Sequence, residues 1–503
     1  MQDFPLRISP SGIRQDIDRR KEMSSFINTN MSAINTMNQL NKTQNALGTA
    51  MERLASAKRI NNASDDAAGV GIAARMMSQI GGMNQATRNA YDGVSMAQTA
   101  EGALSTSADM LQRMRELAVQ ASNGTNAPSD RQALQAEVNQ LLTGLNDIAR
   151  TAAFNGQNLL DGSMAAQQFQ IGPNAGDTVN VGGMNFLTNT YGNNTIQSAA
   201  VQPGTAVNPN AEFTITGSMG TATISGAGTS ASSVATAINT QSDATGVTAT
   251  ATTQVDLSGF QAGESYSFTL QAGAEPAQIS FTVGDGADGL SQAVNAFNQQ
   301  SGATGVTAQM DAVTGGVRLV NASGDTIGLQ AATTNSPGVV ASAVDAAGNM
   351  SAPTQLLPGG AMVETVGTVT LQSPASFQVS EAPGRELGGI EMSGSSQLQT
   401  IASVSVETFD DAQRALSTID AALASITSEQ ARYGAIQNRF EATINNLAIG
   451  SENTSSARSR IMDADYARET ANRARDMILQ NVGISMHAQA NQVGEAVLTM
   501  LRL

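Results

Sequence analysis

Residues 26–66 read FINTNMSAINTMNQLNKTQNALGTAMERLASAKRINNASDD, and their spacing decides the architecture. Phe26, Asn30, Ala33, Met37, Leu40, Gln44, Leu47, Met51 and Leu54 recur at alternating intervals of four and three. That is the seam of an interacting helix, interrupted by amides at Asn30 and Gln44. The other end of the chain carries a second stripe, Ile461, Ala464, Ala467, Ala471, Ala474 and Ile478. Val493, Val497, Leu498 and Leu501 extend its apolar face beyond Gly483. A helix cannot bury its own stripe, and isolated helices are marginal in water. The two ends are therefore expected to pack on each other and then against further copies of the chain. An ordinary intrachain bundle satisfies the periodicity equally well.

Outward from this stretch, the run Asn61-Asn62-Ala63-Ser64-Asp65-Asp66 breaks the helix, since Asn and Ser favour caps and turns. Asp65 and Asp66 suit the first turn of a second helix, which runs to about Ser122. Asn123-Gly124-Thr125-Asn126-Ala127-Pro128 ends it. A third helix is expected from Ser129, with Leu134, Val138, Leu141, Leu142, Leu145 and Ile148 at helical spacing, and a fourth from Phe409 to Ile449. No proline lies in residues 11–127 or from 385 to the end, as long helices require.

Between the helical ends the pattern turns to short alternating runs of Gly, Thr, Ser, Ala and Val. Residues 168–171 and 178–181 flank a Gly-Pro-Asn turn and predict a β-hairpin. An internal repeat follows. Val234–Asn239 leads to Thr245-Gly246-Val247-Thr248-Ala249, and Ala293–Asn298 leads to Thr304-Gly305-Val306-Thr307-Ala308, at a constant offset of 59 residues. Each copy predicts a strand, a short helix, a strand and then a hairpin. Residues 330–396, with Pro337, Pro353, Pro358, Pro374 and Pro383, are expected to be less regular.

The expected fold class is α+β: a long antiparallel helical bundle or coiled-coil core built from both chain ends, with a β-rich central insertion containing two repeated α+β modules. The expected divisions are 23–68, an N-terminal coiled-coil assembly segment; 69–198, the N-terminal half of a helical core with its hairpin; and 199–396, an outer insertion with repeats at about 211–260 and 266–330. Residues 397–462 complete the helical core, and 463–503 form the C-terminal assembly segment. Residues 1–22 mix Arg7, Arg14, Arg19, Arg20 and Lys21 with four acids and lack an apolar core, so they do not read as a secretory signal. They are expected to be translated leader, with Met23 the start; a disordered arm is the other reading.

Composition narrows the function classes. The chain has 503 residues, a net charge of −16, 22 Met, no Cys, no Trp and one His. An acidic chain lacks the basic stripe of a nucleic-acid binder. No apolar run reaches the length of a membrane span, so no membrane insertion is expected. His487 stands alone on a helical stretch, without the partners of a zinc site or a catalytic triad. Gly69-Val70-Gly71 has no preceding strand and reads as helix-packing glycine rather than a dinucleotide loop. Asp65-Asp66 and Asp410-Asp411 read as helix starts. The sequence offers no residues for an enzyme and calls for no cofactor.

Several motifs in order resemble bacterial flagellin. They are residues 27–30 (INTN), 54–61 (LASAKRIN), 65–69 (DDAAG), 112–120 (QRMRELAVQ), 154–156 (FNG), 488–492 (AQANQ) and 497–502 (VLTMLR). Ala57-Lys58 departs from the family, which commonly has Gly then Leu there. The resemblance implies a structural subunit that polymerises into the flagellar filament for motility. It implies secretion, unfolded, through the flagellar type III apparatus, and the partners of that life: copies of itself, hook-associated and cap proteins, and an export chaperone. By the same resemblance, Arg113, Leu117 and Glu137 correspond to a patch read by a host Toll-like receptor. The assembly seam expected from the stripes comprises Met37, Leu40, Leu47, Met51, Leu54, Ile461, Ala471, Ala474, Ile478, Val497, Leu498 and Leu501. A hook–filament junction protein shares such ends and is the nearest alternative; a surface adhesin carried on the insertion is another.

Overall fold

The computed structural model describes residues 29–501 except 206, 274, 286–288, 312–313, 333–337 and 383–389; from residue 493 onward only the backbone of the last helix is described. Phe26 and residues 1–22 lie outside the described residues, as do the side chains of Val493, Val497, Leu498 and Leu501. The chain ends supply the long helices: α1 (Met31–Ser56), α2 (Ala67–Ala121), α3 (Pro128–Thr151), then, past the insertion, α6 (Phe409–Met462) and α7 (Tyr466–Leu501). The insertion adds the short helices α4 (Ala231–Asn239) and α5 (Ser291–Gln299). Two compact units result. One takes residues up to Tyr91, Gln170–Val179 and Ala442 onward; the other takes Asp92–Phe169 and Asn180–Glu441.

In the first unit, local chemistry sets each helix end. Asn30 caps α1, its Oδ1 accepting the Ala33 N–H at 3.1 Å. α1 stops at Ala57, held at φ 57°, the left-handed region that glycine normally fills. The following loop folds around two acids. Asp65 accepts the N–H groups of Asn61 and Asn62, both at 3.0 Å. These backbone bonds, that from Asn62 foremost, hold its carboxyl below the usual range. Asp66 accepts the Gly69 N–H at 2.8 Å and opens α2. A Cβ on Gly69 would sit 2.5 Å from that carboxylate and 2.7 Å from the buried Ile60, whereas Gly71 faces open space. Only the first of the two glycines answers to packing.

Two helix boundaries differ from expectation. α3 begins at Pro128 rather than Ser129, because proline suits the first helical position, where no N–H partner is needed. Asp130 accepts the Ala127 N–H at 3.0 Å there. α6 does not end at Ile449 but continues to Met462. Gly450 is no terminator: a Cβ there would lie 3.2 Å from the Met83 sulfur of α2, so it permits close helix approach.

The second unit holds the helical core and the insertion. Leu104, Leu111, Met114, Val138, Leu145, Ile419, Ile426 and Phe440 are buried in the helical part. Gly93 lies against the Phe440 ring, where a Cβ would approach to 2.6 Å. The buried Gln135 amide accepts the Val406 N–H at 2.7 Å, so α3 anchors the chain as it returns from the insertion.

The repeat appears in the insertion as two modules built alike. The first runs through β4 (Glu212–Thr216), β5 (Thr221–Ser225), α4 and β6 (Thr248–Ser258); the second through β7 (Ser265–Gln271), β8 (Pro276–Thr282), α5 and β9 (Val306–Asp311). The earlier strands are β1 (Gln167–Gln170), β2 (Thr178–Val181) and β3 (Gly192–Gln197). A hairpin precedes the helix in each module, because β5 and β8 pair back on β4 and β7; the expected hairpin after the last strand forms in the second module, where β9 pairs residues 316–321. The 59-residue offset holds to the atom. Asn239 bridges the N–H and C=O of Ala249 at 2.8 Å each, and Asn298 does the same for Ala308 at 2.7 and 2.9 Å. Gly246 and Gly305 both take positive φ, 74° and 67°.

The stretch expected to be less regular, 330–396, carries four short strands, β12 (Val340–Val344), β13 (Val363–Thr365), β14 (Thr368–Ser373) and β15 (Gln378–Glu381), and β16 (Gln397–Thr400) follows it. With β10 (Gly316–Asn321) and β11 (Ile327–Ala331), they knit the modules together. The main antiparallel sheet orders β9-β10-β6-β14-β3-β16. β6 is its shared strand, pairing β14 through its first half and β10 and β12 through its second. Phe213, Ile215, Val234, Ile238 and Leu371 fill one core, and Tyr266, Phe268, Phe281, Phe297 and Leu329 the other.

Candidate assembly surface

α1 and α7 lie antiparallel in the first unit. Asn30 Nδ2 donates to the Ala490 carbonyl at 2.8 Å, Thr36 Oγ1 meets His487 Nδ1 at 3.2 Å, and Arg53 pairs with Glu469 at 3.3 Å. Between them Gly483 lets α7 approach: a Cβ there would lie 3.3 Å from Leu40 Cδ1. Where both helices break, the two chain ends are joined backbone to backbone. The Ala464 N–H donates to the Ala57 carbonyl at 3.0 Å, and the Arg59 N–H to the Met462 carbonyl at 2.7 Å. The Arg59 guanidinium adds bonds of 2.6 and 3.1 Å to the Ile461 carbonyl.

The covered stripe of α1 is Ala33, Thr36, Leu40, Thr43, Leu47, Ala50 and Leu54, each buried or half-buried. It shares Ala33, Leu40, Leu47 and Leu54 with the stripe expected from sequence, but Thr36, Thr43 and Ala50 replace their larger neighbours Met37, Gln44 and Met51. Met37 and Met51 stand 54 % and 49 % exposed. Small side chains at alternate positions let the second helix come close. On α7 the covered positions are Glu469, Asn472, Asp476, Gln480, Gly483, His487 and Ala490, a polar or small set at spacings of three and four. The apolar stripe Ala467, Ala471, Ala474, Ile478 and Val482 falls on the opposite side at 100° per residue, and all five are exposed. Ile461 is half-buried at the joint.

In this hairpin the α7 side of the seam is polar or small while the α1 side carries leucine, alanine and threonine, and Met31, Ile34, Met37 and Met51 of α1 and Met477, Ile478, Leu479, Val482, Ile484 and Met486 of α7 are exposed. Scattered apolar residues are normal on a surface, but an apolar stripe along one side of a helix, as Ala467, Ala471, Ala474, Ile478 and Val482 form, marks a contact site.

In the second unit, Arg113 and Glu137 are brought together, Nη2 to Oε1 at 2.9 Å, and both are about half exposed. Leu117 does not join them at the surface; it is 1 % exposed and belongs to the helical core.

The profile of the bacterial flagellin N-terminal helical region matches residues 27–165, and that of the C-terminal helical region matches 416–501. The B-type flagellin of Pseudomonas aeruginosa is 36 % identical over 495 residues, spanning 95 % of this chain and 100 % of that one. The chain belongs to the bacterial flagellin family. The flagellin of Salmonella choleraesuis is 35 % identical over 526 residues, with the same two coverages. The flagellin hook IN motif matches residues 212–262, which is the first module. Among solved structures, FliC from Burkholderia pseudomallei covers 69 % of this chain and 99 % of its own at 20 % identity and a TM-score of 0.31. The junction protein FlgL of Legionella pneumophila covers 78 % and 99 % at 14 % and 0.34. Both superpose too loosely to say more.

For a flagellin chain, the feature that periodicity alone missed is the polar α7 side of the seam. Its one available signal was charge: Arg53 and Glu469 each interrupt a helix face beside an apolar stripe, and they prove to be partners. The joint at Ala57 and Ala464 had a clearer signal, the helix-breaking run at residues 61–66 just beyond it and the acids Asp463 and Asp465.

Proposed function

We infer that this chain is a structural subunit that polymerises into the flagellar filament, and that the outward faces of α1 and α7 are where copies meet. One observation carries the second part: α7 turns its polar and small residues to α1, and the pair leaves Met37, Met51, Ile478 and Val482 uncovered. Apolar area removed from water gives about 25 cal/mol per Å2, and stacking copies is how such a face is buried. The expected seam residues divide accordingly. Leu40, Leu47, Leu54 and Ile461 hold the hairpin, and Met37, Met51, Ala471, Ala474 and Ile478 serve contacts between copies; Val497, Leu498 and Leu501 continue the α7 stripe in sequence.

Life outside the cell follows from membership of a filament. Secretion of an unfolded chain is consistent with the lack of cysteine, since a cross-linked chain threads a narrow channel poorly. Hook-associated and cap proteins would bind at the polymer's two ends through the same faces, and an export chaperone would cover them before export. A host Toll-like receptor would read Arg113 and Glu137, with Leu117 supporting them from beneath. Sedimentation of the purified chain with filament seeds tests the reading: the parent should elongate seeds, and a chain truncated before Tyr466 should stay soluble while keeping its second unit folded. Elongation by the truncated chain would overturn it.

A further inference from the structure

Residues 199–396 hold fourteen aspartates and glutamates but two cations, Arg318 and Arg385, and only Arg318 lies among the described residues. Arginine is ordinarily a surface residue, yet the Arg318 side chain is drawn in to 14 % exposure. It stands on β10 opposite Asp256 of β6, which stands opposite Ser342 of β12, so the three share one face of the main sheet. Its Nη2 donates to Asp311 of β9, and its Nη1 lies 4.0 Å from Asp410 in the first turn of α6. One turn further along α6, Arg414 reaches the other way. It pairs with Asp411 at 2.5 Å and donates to the Ala346 carbonyl, just past β12. The loop that offers this carbonyl is itself tied down, since the buried Asp345 accepts the N–H groups of Ala347 and Asn349 at 2.9 and 2.8 Å.

We propose that Arg318 and Arg414, with Asp410 and the Ala346 carbonyl, form a latch that fixes the orientation of the insertion on the first turn of α6. The two apolar cores of the insertion are its own: neither draws a residue from α2, α3 or α6. Those cores hold the insertion together but do not seat it on the helices. The chain enters the insertion from β3 and leaves it into β16, which are neighbours at one edge of the main sheet. A pair of adjacent strands at one edge leaves rotation about their connectors as the soft motion. Arg318 opposes it from a distance, since β10 is separated from β3 by β6 and β14, three strand spacings or about 14 Å. The two arginines point in opposite directions, one from sheet to helix and one from helix to loop, so the seat is held at two points. A partly exposed ion pair contributes little to folding. The latch therefore governs where the folded insertion sits and not whether it folds.

The test uses the full-length monomer. The chain has no cysteine, so Ser105→Cys in α2 and Asn295→Cys in α5, both exposed positions, each take one spin label. Double electron–electron resonance then reads the distance from the helical part to the insertion, and hydrogen exchange at β7 and β8 reports whether the insertion stays folded. The variant Asp410→Asn, Arg414→Ala cuts the latch from the helix side and leaves the buried Asp256, Asp311 and Arg318 in place. The labelled parent should give a single narrow distance distribution. The variant should lose that peak to a broad one, with β7 and β8 protected as before. The conservative pair Asp410→Glu, Arg414→Lys should keep the narrow peak. A cut variant as narrow as the parent at the parental distance would overturn the proposal. So would a cut variant whose β7 and β8 lose protection, because the contacts would then serve folding. A conservative pair as broad as the cut variant would also overturn it, since disturbance of the helix start rather than lost charge would be freeing the insertion.

Discussion

Replacing Ile478 with alanine perturbs the outward face while sparing the hairpin. Ile478 is 62 % exposed and lies on the side of α7 away from the seam that carries Glu469, Gly483 and His487. The substitution removes three carbons, worth roughly 0.8 kcal/mol each when fully buried, or about 2.4 kcal/mol. Only the exposed share can be newly covered by a neighbouring copy, which leaves about 1.5 kcal/mol per subunit added. At 1.4 kcal/mol per factor of ten, the critical concentration should rise roughly tenfold. Alanine is the better helix former, so α7 itself loses nothing. The assay is seeded elongation followed by sedimentation, with circular dichroism of the monomer as control. A critical concentration within about twofold of the parent, at unchanged helix content, would refute the assignment of this face to contacts between copies. A loss of monomer helix would instead show that Ile478 supports the hairpin.

Other expectations concern the subunit itself. Ala57→Gly should stabilise the joint by about 0.5–1 kcal/mol, the relief of a left-handed alanine less the added freedom of glycine in the unfolded chain; a lowered thermal midpoint would show that the turn is unstrained. Gly93→Ala should cost about 1–3 kcal/mol by pushing a methyl into the Phe440 ring, read as a drop in the midpoint. Glu429→Gln tests a buried carboxyl. Burial pushes Glu429 above its ordinary 4.5, against the pull of Arg432. A raised folded value means that the protonated form is favoured by folding: its stabilisation is full below about pH 4.5 and is lost as pH rises through the folded value. Glutamine mimics that form, so the variant should melt above the parent at pH 7, with the gap closing on acidification. A variant that melts below the parent at pH 7 would mean that the ion pair with Arg432 outweighs burial.

Much of the α-helical frame was legible because helices announce themselves locally. The three-and-four spacing located α1 and α7, and Asn61–Asp66 marked the break between α1 and α2. Which face meets which neighbour was not legible. Periodicity says that Ala467, Ala471, Ala474 and Ile478 form an apolar stripe but not what covers it, and in the structure α7 turns that stripe away from α1. The seam of α1 slipped by one position at alternate turns because methionine looks like a better core residue than threonine, whereas close helix approach favours Thr36, Thr43 and Ala50. In the insertion, the paired Asn239 and Asn298 clamps were visible as a repeat, since each acts within ten residues. Strands such as β14 and β16 were not, because their partners lie far away in sequence: β14 pairs β3 and β6, and β16 pairs β3. Of the residues implied by family resemblance, Arg113 and Glu137 sit together at the surface, but Leu117 does not; a leucine at helical spacing is filled into the core first.

The most direct measurement is a helical reconstruction of the filament by electron cryomicroscopy at side-chain resolution. The account predicts that Met37, Met51, Ile478 and Val482 lie within van der Waals distance, about 4.5 Å, of apolar side chains from other copies, with the α1–α7 hairpin and its Arg53–Glu469 pair retained inside each subunit. A filament in which those four side chains face water, or in which α1 and α7 separate to pair with other copies, would contradict it.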